Sequence, residues 1–173
     1  MMAKSHAVIG LASWMIAAPS FHLLPWSPVA LAMAAAGSLL PDIDHPASWV
    51  GRRTRPLSTL ISSLFGHRGI THSAMAVVAL SALLAHHGYS RSITGAFAVG
   101  YLSHLAADML TPRGLRLAWP LRRTWGVPVC RTGSPAEALI VASLCLLAGI
   151  MIAKGMPSAL LPHLLLQYWP GKH

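Results

Sequence analysis

The stretch ITGAFAVGYLSHLAADML, residues 93–110, decides how the chain is to be read. It is dominated by Ala, Leu, Val, Ile and Gly and lacks the alternation of a half-buried strand, so a helix is the expectation. Asp108, its only acid, stands four residues after His104. That spacing puts the two side chains on one helical face, about 40° apart around the axis, where they can clasp one ion. An acid kept in so apolar a run is a functional candidate, because such a group is costly in a membrane.

Four further apolar runs share this character, at residues 7–24, 28–41, 73–87 and 136–153, with a weaker sixth at 157–168. Local punctuation supports helices. Ser134-Pro135-Ala136-Glu137 reads as an N-cap, a first-position proline and a capping-box Glu, while Ser27-Pro28 and Pro157 open other segments and His86-His87-Gly88 closes one. The expected fold is therefore all-α: a polytopic helical membrane protein with about five or six short transmembrane or membrane-embedded helices, forming one domain over residues 1–173. The connection at 114–131 carries a short alternation that reads as a small hairpin or flap. The first segment does not read as a signal peptide, since Lys4 is its only charge and more apolar sequence follows.

Composition points the same way. Hydrophobic residues make up 54% of the chain and charged residues only 10%, against about 25% charged in an average soluble domain. Such a chain is too apolar for disorder and too short for a multidomain enzyme. Cys130 and Cys145, its only cysteines, offer no disulfide framework. Thirteen Lys and Arg face four acids, for a net charge of +9. With a cytoplasmic N-terminus and alternating segments, eleven basic residues fall on the cytoplasmic side and two, Arg91 and Lys154, on the other. The excess is thus mainly a topology signal, and it argues against nucleic acid as the partner. A basic face against anionic lipid headgroups remains natural. Trp26, Trp49, Trp119, Trp125 and Trp169 lie at segment ends or in loops, as in an interfacial aromatic belt.

The same topology collects the chemistry on one face. Asp42, Asp44 and His45 end the second segment; His67 and His72 flank a tight glycine turn; His104 and Asp108 lie in the stretch quoted first; and His6 opens the first segment. Carboxylates and imidazoles together suit Zn²⁺, Mn²⁺ or Fe. His22, His86, His87, His163 and His173 read as ordinary interfacial histidines.

The ordered motifs GSLLPDIDHPAS (37–48), GHRGITHS (66–73) and GYLSHLAADMLTPRGLRLAWP (100–120), after His6 and Gly10, resemble the YdjM-like family of bacterial inner-membrane proteins. That family is described as predicted membrane-bound metal-dependent hydrolases, and it is distantly similar to zinc-dependent phospholipase C and related single-strand nucleases. The resemblance implies metal contact by His6, Asp42, Asp44, His67, His72, His104 and Asp108, with His45 at the edge of the set. Seven ligands exceed one zinc site, so two or three divalent ions, Zn²⁺ first, are expected.

The expected activity is hydrolysis of a phosphoester in a lipid or lipid-linked substrate by metal-activated water at the cytoplasmic interface. Asp42 or Asp44 would bridge ions or take the proton, and Arg68 would hold the phosphate, with Arg113 and Arg116 as further contacts. The alternative is a non-catalytic structural or regulatory membrane protein in which the metal cluster staples the helices. A proton- or cation-coupled transporter is a third reading, and it needs the His and Asp groups deep in the bilayer.

Overall fold

The computed structural model describes residues 1–121 and 123–155. The sixth segment, Arg122, His163, Trp169, Lys172 and His173 lie outside the described residues. Among the described residues, seven α-helices follow in order: α1 (Ala3–Ala17), α2 (Pro28–Leu39), α3 (Trp49–Arg53), α4 (Arg55–Phe65), α5 (Ala74–His86), α6 (Arg91–Met109) and α7 (Pro135–Gly155). Short 3₁₀ turns cover Ala18–Phe21, Leu40–Asp44 and Ile70–His72. The five apolar runs all contain helices. The connection at 42–71 is not the loop its polarity suggests, because it folds into α3 and α4.

Serines start several of these helices. Ser48, Ser73 and Ser90 each accept a hydrogen bond from a backbone N–H in the first turn of α3, α5 and α6 respectively. Ser27 precedes Pro28 without such a bond. Glu137 does more than cap α7: its carboxylate accepts from the backbone N–H of Gly133 at 2.7 Å and of Met2 at 2.9 Å, tying α7 to the start of α1. Among the described residues there is no strand. The expected hairpin reduces to one antiparallel bridge, in which Leu115 and Trp125 exchange two hydrogen bonds of 2.7 Å.

Helix α6 is central, with α1 packed against it and α2 approaching it closely enough for backbones to touch. A Cβ on Gly100 would lie 2.0 Å from the carbonyl oxygen of Ala34, and one on Gly37 would lie 2.3 Å from that of Phe97. A Cβ on Gly10 would meet Ser38 at 2.5 Å. Small residues at a helix contact are the pattern of membrane helices, which gain by close van der Waals approach. Trp14, Ala18, Ala30, Ala34 and Ala96 form one core cluster. Val77, Phe97, Tyr101, Leu105 and Leu115 form a second, reached by α5.

Among the described residues, one helix is long and apolar enough to cross a membrane, Pro135–Lys154, and only 11% of its most apolar stretch is buried inside the protein. At about 1.5 Å per residue it matches a hydrocarbon core of about 30 Å. Helices α2 and α5 have 12 and 13 residues and fall short of that thickness. Their lengths do not establish five or six crossings.

The glycines on α6 should respond oppositely to a methyl group. Gly100→Ala should lower stability by about 1–3 kcal/mol, because backbone must move. Gly95→Ala meets only the Trp14 ring, at 3.6 Å, and should raise stability by up to about 1 kcal/mol through helix propensity. Thermal unfolding of the two variants in detergent measures the contrast.

Candidate metal centre

The helix contacts set the height of the site. Gly10 and Gly100 each lie four residues, about one turn, from His6 and His104. Close packing there brings the two imidazoles into a stack with ring centroids 3.8 Å apart. The Leu40–Asp44 turn at the end of α2 supplies Asp42 and Asp44, and the Ile70–His72 turn supplies His72.

Asp44 is fully buried and organises this end of the molecule. Its Oδ1 accepts from His67 Nδ1 at 2.9 Å. Its Oδ2 accepts from the Arg68 backbone N–H at 2.9 Å, from His72 Nδ1 at 3.1 Å and from the Thr71 hydroxyl. Burial alone would raise its pKa, but the hydrogen bonds from His67, His72 and Thr71 outweigh burial and hold it well below the usual carboxylate range. The Arg68 bond requires a left-handed backbone at that residue, with φ of 59°, a conformation uncommon outside glycine.

These bonds decide the tautomers. With Nδ1–H given to Asp44, His72 presents the lone pair of Nε2. His104 Nδ1–H donates to the carbonyl of Ser38 at 2.7 Å, so its Nε2 lone pair is also free. The two Nε2 atoms face one another at 3.3 Å. Two bare lone pairs at that distance repel unless a cation lies between them. Zn–N bonds of about 2.0–2.1 Å at a tetrahedral angle give an edge of about 3.3–3.4 Å, the separation seen.

Carboxylates complete the set. Asp108 Oδ2 lies 3.7 Å from His72 Nε2 and 3.8 Å from His104 Nε2, while Asp42 Oδ1 is 4.0 Å from His104 Nε2. Asp108 Oδ1 faces the other way, 3.4 Å from His6 Nε2 and 3.0 Å from the Met1 amine. Two triads, Asp42–His72–His104 and His6–His104–Asp108, have donor atoms within 4.8 Å of one another. The donors fit a divalent ion of the zinc type.

Of the seven expected ligands, five therefore converge. Asp44 and His67 join neither triad. Asp44 stands behind His72 as the carboxylate that fixes its imidazole, and His67 shares it. His45 packs on His67 with centroids 4.5 Å apart. Burial, helped by His67, pushes the His45 pKa below its usual value. Arg68 is engaged in a way its motif did not reveal: Nη2 pairs with Asp108 Oδ2 at 2.7 Å and Nη1 donates to the Gly114 carbonyl at 2.8 Å. Those nitrogens balance Asp108 rather than wait for a phosphate. Arg116 is not among the residues lining the cleft over the site, whereas Arg113 is.

That cleft, of about 530 Å³, is lined by Lys4, Arg52, Arg68 and Arg113 together with Asp42, His67 and Asp108. A second cavity of about 460 Å³ lies against the same two turns and is apolar, lined by Leu40, Ile43, Ile70, Met75, Leu80 and Tyr101 among others. Ser38 and Thr71 are contributors that motif reading missed; Arg52, read first as a topology charge and second as a phosphate contact, lines the cleft. Ser38 acts through its backbone carbonyl, which carries no residue signature.

The YdjM inner membrane protein family model matches residues 1–168. The chain belongs to that family. It is 44% identical over 114 residues to the inner membrane protein YdjM of Escherichia coli, covering 61% of this chain and 58% of that protein. The YdjM of Shigella flexneri matches to the same extent. The uncharacterized protein YvsG of Bacillus subtilis is 34% identical over 148 residues, 84% of this chain and 91% of its own length. The matched part thus spans 58% of the curated YdjM proteins. No solved structure matches the chain.

Asp44 gives the metal-free protein a characteristic acid response. Its pKa is depressed in the folded state, so its stabilisation is complete above the unfolded value of about 4 and is lost as pH falls through the folded value. With chelator present, the thermal midpoint should fall below about pH 4, and Asp44→Asn should start lower and flatten that fall. An unchanged slope in the variant would assign the acid sensitivity to other groups.

Proposed function

We propose that this inner-membrane protein is a metal-dependent hydrolase acting on a phosphoester of a lipid or lipid-linked substrate. The observation that carries the reading is the pair of facing Nε2 atoms, 3.3 Å apart with both Nδ1 protons committed, beside Asp108 and Asp42 at the floor of a basic cleft. The proposed cofactor is Zn²⁺, which the donors of the Asp42–His72–His104 and His6–His104–Asp108 triads would hold. When bound, such ions activate water and stabilise the charge that builds on a phosphoryl oxygen.

The residues divide the remaining work. His6, Asp42, His72, His104 and Asp108 would hold the cations, and Asp44 fixes the His72 ring. Asp42, half-buried and lining the cleft, is the carboxylate open to take a proton from water; Asp44 already accepts four hydrogen bonds. Arg68 positions Asp108. Lys4, Arg52 and Arg113 then offer the cationic contacts for phosphate oxygens. The apolar cavity behind the Leu40–Asp44 turn supports a lipid substrate. The proposal includes a multi-pass arrangement with the N-terminus and cleft at the cytoplasmic face, supported by the asymmetry of basic residues.

Purified protein should contain stoichiometric zinc. Asp108→Ala and His104→Ala should lose it, and Asp44→Asn should weaken it by about 10–100-fold. Asp42→Asn should lower turnover of phosphomonoester or phosphodiester substrates by about 10²–10⁴-fold with the chain still folded. Absence of metal in the wild type would sink the reading. The same donors join α1, α6 and the two turns, which favours a structural staple as the second reading; stoichiometric metal, unfolding on chelation and no turnover on any soluble or lipid phosphoester would establish it. For topology, a cysteine at Arg52 should react with an impermeant maleimide only after cells are opened, and reaction in intact cells would reverse the proposed orientation.

A further inference from the structure

Helix α4 is folded inside out for a helix on the surface of a soluble protein. Its residue buried against the rest of the molecule is Ser58, whose hydroxyl has no hydrogen-bond partner among the described residues. Its large apolar residues face outward: Leu57, Leu60, Leu64 and Phe65 are 48%, 54%, 66% and 38% exposed. In a soluble domain the apolar stripe of a helix faces the core and the polar face meets water.

The angular arrangement explains what the helix is built for. At about 100° per residue, Leu57, Leu60, Ile61 and Leu64 fall within one stripe about 100° wide, with Phe65 at its margin. Ser58 and Ser62 lie to one side of that stripe, and Arg55, Thr59 and Ser63 lie roughly opposite it. The helix thus has three sides: small residues toward the protein, apolar residues outward, and a charged and hydroxylated side. The close approach on the first side is set by Gly51, whose Cβ would meet the His45 carbonyl at 2.0 Å and Ser58 Oγ at 2.9 Å.

Its surroundings identify what meets the apolar side. Residues 49–65 contain Arg52, Arg53 and Arg55 and no acid. Trp49 is 46% exposed, with the Arg53 guanidinium 3.8 Å above its ring. At its other end, Phe65 makes an edge-on contact with Trp119 at 6.0 Å between centroids. Arginines and tryptophan beside an apolar stripe match the headgroup and upper acyl layers of an anionic bilayer. With 11 residues, or about 16 Å, α4 is too short to cross the hydrocarbon core.

We propose that α3 and α4 form an in-plane interfacial element, with Leu57, Leu60 and Leu64 in the acyl boundary and Arg53 and Arg55 on anionic lipid headgroups. Arg52 and Trp49 also line the cleft over the metal-type residues. The element therefore places the cleft mouth at headgroup level. It stands whether or not the cleft is catalytic, because its test reads neither turnover nor metal.

The test uses the full chain with Cys130 and Cys145 replaced by serine, a spin label at Leu60→Cys, Leu64→Cys or Thr59→Cys, and vesicles of phosphatidylcholine with phosphatidylglycerol. Labels at positions 60 and 64 should collide more with oxygen than with a water-soluble nickel complex, and the label at 59 should show the reverse. Adding Arg53→Gln and Arg55→Gln should shift the labels at 60 and 64 toward the aqueous reagent, and vesicles of phosphatidylcholine alone should do the same. Equal nickel accessibility at 59 and 60 would overturn the proposal. So would shielding of 60 and 64 from both reagents, which would mean that protein covers the stripe, and so would depth unaffected by both the arginine changes and the lipid charge. Because Thr59, Leu60 and Leu64 are all exposed, unchanged helical circular dichroism is expected throughout and confirms that each labelled chain is folded.

Discussion

The backbone contact between α2 and α6, at Gly37 against Phe97 and Gly100 against Ala34, is the constraint on which the rest of this molecule depends. It sets the height at which the Ser38 carbonyl meets His104 Nδ1. It also sets where the Leu40–Asp44 turn leaves α2. A side chain larger than hydrogen at either glycine would separate the helices by more than a hydrogen bond tolerates. The stacked rings of His6 and His104 depend on the same approach, extended through Gly10 to α1. Close packing by small residues and a polar cluster at the end of the packed helices are two aspects of one arrangement.

On that platform, Asp44 turns a set of donors into an ordered site. A fully buried carboxylate is costly unless its lone pairs are filled, and here four donors fill them. The same bonds impose a tautomer on His72 and a left-handed backbone on Arg68, and Arg68 in turn reaches Asp108. Orientation thus passes from one buried acid to both ends of the cluster. The exposed apolar features lie outside this core: α7 exposes an apolar surface, and α4 turns its leucines away from the protein.

Much of the fold was legible. Apolar runs without alternation gave helices within a few residues of α2, α5, α6 and α7, and the first run overshot the end of α1 by seven residues, because in so apolar a chain composition and punctuation outweigh periodicity. Helices α3 and α4 were not read. Their serines and arginines resemble a polar loop, and the leucines that mark α4 are spaced for an outward-facing stripe rather than a core. The expected flap at 114–131 shrank to the Leu115–Trp125 bridge because Pro120 and Pro128 interrupt any longer ladder.

The sequence by itself determined that the chain is helical and apolar, belongs with inner-membrane proteins, and carries nearly all its acids in motifs with histidine. Residue type and spacing suffice for that, since His104 and Asp108 share a face in any α-helix. Tertiary structure alone decided the division of labour among those residues. Asp42 and Asp44 are two positions apart and chemically identical, yet one opens to the cleft while the other is enclosed by His67, Arg68, Thr71 and His72. Arg68 likewise sits between two histidines in sequence but spends its guanidinium on Asp108. Which lone pair is free and which is already filled depends on neighbours distant along the chain, and those neighbours are set by how closely the helices pack.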